Sequence, residues 1–320
     1  MSGSAGGWLE AGLYVLCIGI LNIAYAYANE HGVNTFAFVL EAMLVAAVAL
    51  IVLSRRPTRL REIVRLPMTW LFGATTIGME IFYYLAISYA DPAEASIFVR
   101  FSIPLSMAIG WLALGRRPDG LRLLGAGIVL AGIAWLLAIQ SGRALGPILA
   151  TVGASSLMFA LRSFSAELHP WNRAALGVRE KLSVTGQVVL VAALAGFAVL
   201  VAGMVLVRYG LLAPVPGLPV FTDLTRPLTV LLAVLFGGLV LTAMNLLMFS
   251  AVLKISTESF VAASAFVPLM TLILQEAAHA GSLIAAAPSG RQLLLVMLVV
   301  IAGNIIIVAA GMRRHGRPRR

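Results

Sequence analysis

The chain has almost nothing from which a covalent or metal site is built. One of its 320 residues is cysteine and four are histidine. The lone Cys17 excludes an intramolecular disulfide and a thiolate metal centre. His31, His169, His279 and His315 are scattered, with no His-Glu-x-x-His and no pair four residues apart. There is no Gly-x-Ser-x-Gly elbow and no glycine-rich phosphate loop ending in Gly-Lys-Ser/Thr. These gaps argue against an enzyme, predict no cofactor or metal, and leave no ATP site to drive work. Charge is scarce too, at 11% of residues. The first ten residues carry no Lys or Arg, so they lack the basic region of a cleavable signal peptide and the first apolar span is expected to be retained.

What fills the chain instead is apolar surface, 61% of residues. A soluble protein of this length has no use for so much, whereas a polytopic membrane protein does. A spanning helix takes about 20 mostly apolar residues. That window predicts ten spans, at 11–29, 33–53, 68–89, 94–114, 120–139, 144–163, 182–207, 227–250, 257–277 and 291–311. The net charge of +10 is distributed by loop and does not form a nucleic-acid patch. Arg55, Arg56, Arg59, Arg61 and Arg65 follow span 2, and Arg116, Arg117 and Arg122 follow span 4. Arg162, Arg173, Arg179 and Lys181 follow span 6, Lys254 follows span 8, and a run of arginines starting at Arg313 follows span 10. Basic loops stay in the cytoplasm. The pattern predicts a multi-pass plasma-membrane protein, of a bacterial inner membrane, with both termini cytoplasmic and its basic face on anionic lipids. No nucleic-acid partner is expected.

A weak internal repeat orders the spans. The stretch at 73–133 contains Ala86-Ile87-Ser88-Tyr89, Glu94 and Pro104, and the far end of the chain offers Ala251-Val252-Leu253, Glu258 and Pro268 in the same order. Aligning Pro104 with Pro268 places Glu94 on Glu258, and a one-residue slip upstream places Glu80 on Asn245. Both copies close on a glycine-containing helix, Leu130-Ala131-Gly132-Ile133 and Ile301-Ala302-Gly303-Asn304. An odd number of spans per copy inverts one half relative to the other. The expected fold is therefore all-α, ten transmembrane helices as two inverted five-helix repeats, at 1–139 and 140–320. Inverted repeats around a midplane site are a recurring plan of secondary transporters.

On these residues, with Ala95-Ser96, Leu114-Gly115 and Leu124-Gly125-Ala126, the chain resembles the EamA-type ten-helix members of the drug/metabolite transporter superfamily. The resemblance implies alternating-access movement of a small molecule, commonly outward, driven by protons or a counter-substrate. It departs from the family where Gly115-Arg116 stands for a frequent Gly-Glu, where the matching second-half region is Gln275-Glu276, at Glu41 in place of a basic residue, and at Arg100 in place of a neutral one.

Glu41, Glu80 and Arg100 lie inside predicted spans. A lone charge there costs about 2.5–3.5 kcal/mol on insertion scales, so each needs water or a partner. Two readings stand. In one they line a cavity between spans 1, 3, 4, 6, 8 and 9, where Arg100 takes a carboxylate or phosphate and a glutamate takes an amine or a proton. In the other Glu41 and Arg100 form a structural ion pair between spans 2 and 4. Asn245, Asn22, Tyr25, Tyr83, Tyr84 and Ser264 are further candidates for the cavity, each equally able to make a helix–helix hydrogen bond. Pro104 and Pro268 are the candidate gating bends. Glu94 and Glu258 read as helix-start residues, and Trp111 and Trp135 as interface anchors. Export of an amino acid is the leading expectation for function. A drug or lipid-linked-sugar exporter and a non-transporting scaffold or sensor, docking a partner on 168–181, are the alternatives.

Overall fold

A computed structural model describes residues 3–87, 92–139, 145–213, 217–285 and 291–315. The expected turn at 88–91, Arg143, Pro214, Pro216 and the end of the basic tail lie outside the described residues, as does the side chain of Tyr84. The described residues form helices and no strand. Ten helices are long and apolar enough to cross a membrane. They are α1 (Ala5–Glu30), α2 (Thr35–Ser54), α3 (Pro67–Ile87), α4 (Pro92–Leu114) and α5 (Gly120–Ile139), then α6 (Leu145–Leu168), α7 (Val178–Arg208), α8 (Pro227–Ile255), α9 (Thr257–Ala280) and α10 (Arg291–Gly311). The protein is an all-α integral membrane protein.

Each helix covers one window of the sequence reading, and several run on past it. A hydropathy window stops at the first charge, whereas a helix continues while its backbone carbonyls find intrahelical partners. The consequential case is α6, which reaches Leu168 and so carries Arg162 inside the bundle rather than in a loop. Local chemistry sets the ends. Asn34 caps α2 by accepting from the backbone N–H of Phe36 and Ala37 at 3.0 and 3.3 Å. Pro67, Pro92 and Pro227 open α3, α4 and α8, where no N–H is required. Gly115, at φ 67°, closes α4. Ser256 alone joins α8 to α9, at φ 66° and ψ 157°. That region belongs to glycine and costs another residue about 1–3 kcal/mol.

Short helices fill the connections at Leu60–Val64, Pro170–Ala174 and Phe221–Leu224. The first lies between Pro57 and Pro67. Leu218 and Leu224, ahead of α8, pack on the cluster of Leu40, Leu200 and Met204.

The helix packing has an internal symmetry. α3 packs on α6 as α8 packs on α1, α9 on α1 as α4 on α6, and α8 on α2 as α3 on α7. The remaining main pairs, α2 with α7, α5 with α10 and α4 with α9, map onto themselves when each helix is exchanged for the one five positions away. Between α5 and α10, a methyl on Gly125 would meet the carbonyl oxygen of Gly303 at 2.6 Å, and one on Gly303 would meet that of Gly125 at 2.7 Å. In a lipid environment such backbone approach replaces the hydrophobic drive between helices. α4 and α9 share a further feature. A 3₁₀ turn interrupts each, at Val99–Phe101 and Ser264–Phe266, just ahead of Pro104 and Pro268. A proline offers no N–H to the carbonyl four residues back, which loosens the helix at that point.

Candidate functional site

Between α1, α3, α4, α6, α8 and α9 lies a narrow cavity whose polar lining comprises Asn22, Tyr25, Glu80, Tyr83, Arg100 and Ser155. The 3.6-residue period of α1 puts Asn22 and Tyr25 on one side, and that of α3 does the same for Glu80 and Tyr83. The rest of the wall is apolar, from Ile18, Leu21, Met79, Phe159, Met244 and Val267.

Glu80 is buried and accepts from the Tyr25 hydroxyl at 2.7 Å. It also borders a second, apolar space of about 290 Å³ between α2 and α3, lined by Thr35, Phe36, Leu40 and Ile77. Arg100 is buried at 3% exposure. Its Nε donates to the carbonyl of Ser96 at 3.0 Å, and its Nη1 to the hydroxyl of Ser264 at 2.8 Å and to the Ser264 carbonyl. Pro268 cannot give that carbonyl the α-helical donor four residues on, and it accepts from Val267 N–H of the 3₁₀ turn as well as from the arginine of the other half. No described carboxylate forms an ion pair with Arg100. The Tyr83 hydroxyl is buried with no described partner. Asn22 donates to Thr271 at 2.9 Å, tying α1 to α9.

The remaining sequence candidates fall elsewhere. Asn245 does not line the cavity. It accepts from Arg162 at 2.9 Å and donates to the Leu241 carbonyl at 2.8 Å. Glu41 sits on α2, half-buried and away from the cavity lining, and forms no ion pair with Arg100. The proposed Glu41–Arg100 pair is absent because Ser96 and Ser264 occupy the arginine.

Sequence reasoning missed Arg162. It has no solvent exposure, lies over the Phe72 ring at 5.5 Å, and has Nε without a described partner. The predicted span at 144–163 already contained it, but its charge grouped it with the loop arginines, and the signal of a buried face lay in Ser155, Ser156 and Ser163. These serines repeat at 7–8 residues and share a buried face with Arg162.

Residues 7–138 match the model of the EamA-like transporter family, ending where α5 ends. This segment belongs to the EamA-like transporter family. The family is one of small-molecule transporters within the drug/metabolite superfamily, and the cavity is built from helices of both halves of the chain. No curated protein matches the chain. A solved crystal structure superposes on 98% of the chain and 100% of its own length, with a TM-score of 0.65 at 19% identity, and shares its fold.

At the end of the bundle where α1, α3, α5, α7 and α9 begin, a charged cluster joins the halves. Arg116, just past α4, donates to both oxygens of Glu167 at 2.6 and 3.1 Å, and to Glu258 at 3.2 Å. Glu167 also accepts from the backbone N–H of Thr257 at 3.1 Å. Hydrogen bonding to Glu167 holds the Arg116 guanidinium above its already high range, so it stays charged. Glu258 is therefore more than the helix-start residue expected. On the same side Lys254 and Ser250 donate to Glu10. His169, buried at the head of the join, is pushed down to about 4 by burial. Thr69 gives its proton to the Ile63 carbonyl and so accepts from His169 Nε2 at 3.0 Å, which leaves Nδ1 bare. Asn172 is buried too, donating to the carbonyls of Ala166 and Phe249. The 168–181 segment, named above as a docking site in the scaffold alternative, is thus partly core.

Proposed function

We propose that the protein is a secondary transporter that moves a small zwitterion, an amino acid or close relative, by alternating access. The two halves act as inverted repeats that rock about the cavity. The observation that carries this reading is the presence of Arg100 and Glu80 in the lining of one cavity formed by both halves. A guanidinium with fixed fork geometry suits a carboxylate, and a carboxylate suits an ammonium group. Among the described residues no carboxylate pairs with Arg100 and no cation forms an ion pair with Glu80, which accepts from the Tyr25 hydroxyl, so each can receive substrate without breaking an ion pair. Glu80 is also the group to carry a coupling proton. The bends at Pro104 and Pro268 are where α4 and α9 flex, in the two helices that face each other across the axis of the packing symmetry. Export from the cytoplasm across a bacterial inner membrane fits the arginine-rich end.

A scaffold reading needs the polar side chains consumed in pairs between neighbouring helices. A shared lining with an unpartnered Tyr83 hydroxyl favours the carrier.

The test is binding and transport on purified protein. A panel of amino acids should raise the unfolding temperature, by an amount equivalent to about 2.7 kcal/mol at a hundredfold excess over Kd. Arg100→Ala should abolish that rise, and a rise that survives would make Arg100 structural. In proteoliposomes Glu80→Gln should stop proton-driven uptake and spare counterflow. Equal loss of both would remove Glu80 from coupling.

A further inference from the structure

A second polar pocket, of about 730 Å³, opens where α2 ends, α7 begins and the short helix Pro170–Ala174 crosses between them. Its wall carries Arg56, Arg59, Trp171, Ser183 and Gln187, and its floor is apolar, from Ile63 and Val184. We propose that this pocket binds the phosphate group of an anionic lipid headgroup at the bilayer interface.

Four observations converge. The Arg59 guanidinium lies over the Trp171 ring at 5.1 Å, and no described carboxylate pairs with it. Stacking fixes the plane of the guanidinium and leaves its donors pointing along the pocket wall. Its backbone is fixed too, since the Arg59 N–H donates to the Gln187 side chain at 2.6 Å. Gln187 in turn donates to the Ser183 hydroxyl at 2.8 Å, which keeps its own proton for a ligand.

Arg56 is held only loosely, 3.9 Å from Glu180, and one oxygen of that carboxylate already accepts from Leu176 N at 3.0 Å. The lining therefore carries two cations against one part-committed anion. Third, α7 starts at Gly177 without a side-chain cap, so the positive end of a long helix faces the same region. Fourth, the surface beside the pocket is made for acyl chains. Val52 and Leu53 on α2 and Leu176 and Val178 at the head of α7 are 66%, 57%, 94% and 68% exposed. A free phosphate would use the arginines but not this apolar margin. A basic pocket between spanning helices with an apolar flank is how a headgroup and its tails are held together.

The experiment measures thermal unfolding of the full-length protein in detergent with added dioleoyl phosphatidylglycerol, dioleoyl phosphatidylcholine or inorganic phosphate. It is repeated on R56Q/R59Q and on R61Q/R65Q, which removes the same charge from exposed positions outside the pocket. Phosphatidylglycerol is expected to raise Tm, and phosphatidylcholine is not. In R56Q/R59Q that rise should fall by more than about half, while R61Q/R65Q retains it. Equal losses in the two variants would reduce the effect to general surface charge and overturn the site. A rise with inorganic phosphate that disappears in R56Q/R59Q would keep the phosphate pocket and reject the lipid as its source. No rise in the wild type with any of the three would refute it outright. None of these outcomes depends on transport.

Discussion

The two ends of the bundle are closed by different chemistry. At the arginine-rich end Arg116 from the first half clasps Glu167 and Glu258 from the second, with side chains only 9% and 8% exposed on the acidic partners. Among the described residues, closures at the opposite end include hydrogen bonds to backbone. Glu30 accepts from Ala285 N at 3.0 and 3.1 Å, Arg226 donates to the carbonyls of His31 and Gly32, and Asn34 donates to that of Gly217 at 2.9 Å. The positions correspond. Glu167 near the end of α6 latches the loop after α4, and Glu30 at the end of α1 latches the loop after α9. Symmetric latches with unequal partners make the ends unequally hard to open, and for a carrier that inequality sets which side the resting cavity faces.

The largest effect should come from Arg116→Ala. It strands two nearly buried carboxylates, and breaking a buried pair in this way costs about 3–5 kcal/mol. Arg116 itself is 33% exposed, so a loss of about 2 kcal/mol or more is expected, read as a drop in Tm in detergent. An unchanged Tm would mean that the cluster does not hold that end.

A second test uses pH. His169 sits below its unfolded value of about 6.5 because burial disfavours its charged form. Protons therefore favour the unfolded chain. The stability tied to this residue is complete above pH 6.5 and is lost as pH falls towards about 4, at no more than about 1.4 kcal/mol per pH unit. His169→Gln should flatten that part of the profile. An equally steep profile in the variant would place the sensitivity elsewhere.

The smallest effect belongs to Glu30→Gln. The amide oxygen still accepts from Ala285 N, so the cost should stay below about 0.5 kcal/mol. A loss as large as that of Arg116→Ala would erase the contrast between the ends.

The spans were legible because a lipid-crossing helix needs a long apolar run, and composition alone reveals such a run. Glu80, Tyr25, Asn22, Tyr83 and Arg100 were legible as a group because polar side chains in apolar helices stand out. Which way each one faces was not. Glu41 is as conspicuous as Glu80 in the sequence, yet α2 turns it away from the cavity lining. Asn245 belongs with Arg162, one layer away from the lining. Arg162 and Arg116 could not be separated from the loop arginines, because only their partners on distant helices distinguish them. The swap of Gly-Glu for Gly115-Arg116 looked like a departure from the family, and its meaning lay in Glu167 and Glu258.

Arg100 and Ser264 stand equally far ahead of Pro104 and Pro268, on α4 and α9, which map onto each other. Their hydrogen bond therefore joins equivalent points and lies near the axis that exchanges the halves. Points on an axle travel least when a body rocks. In the rocking carrier proposed above the contact persists whichever end is open, a fulcrum that favours neither orientation and leaves the choice to the latches at the rims.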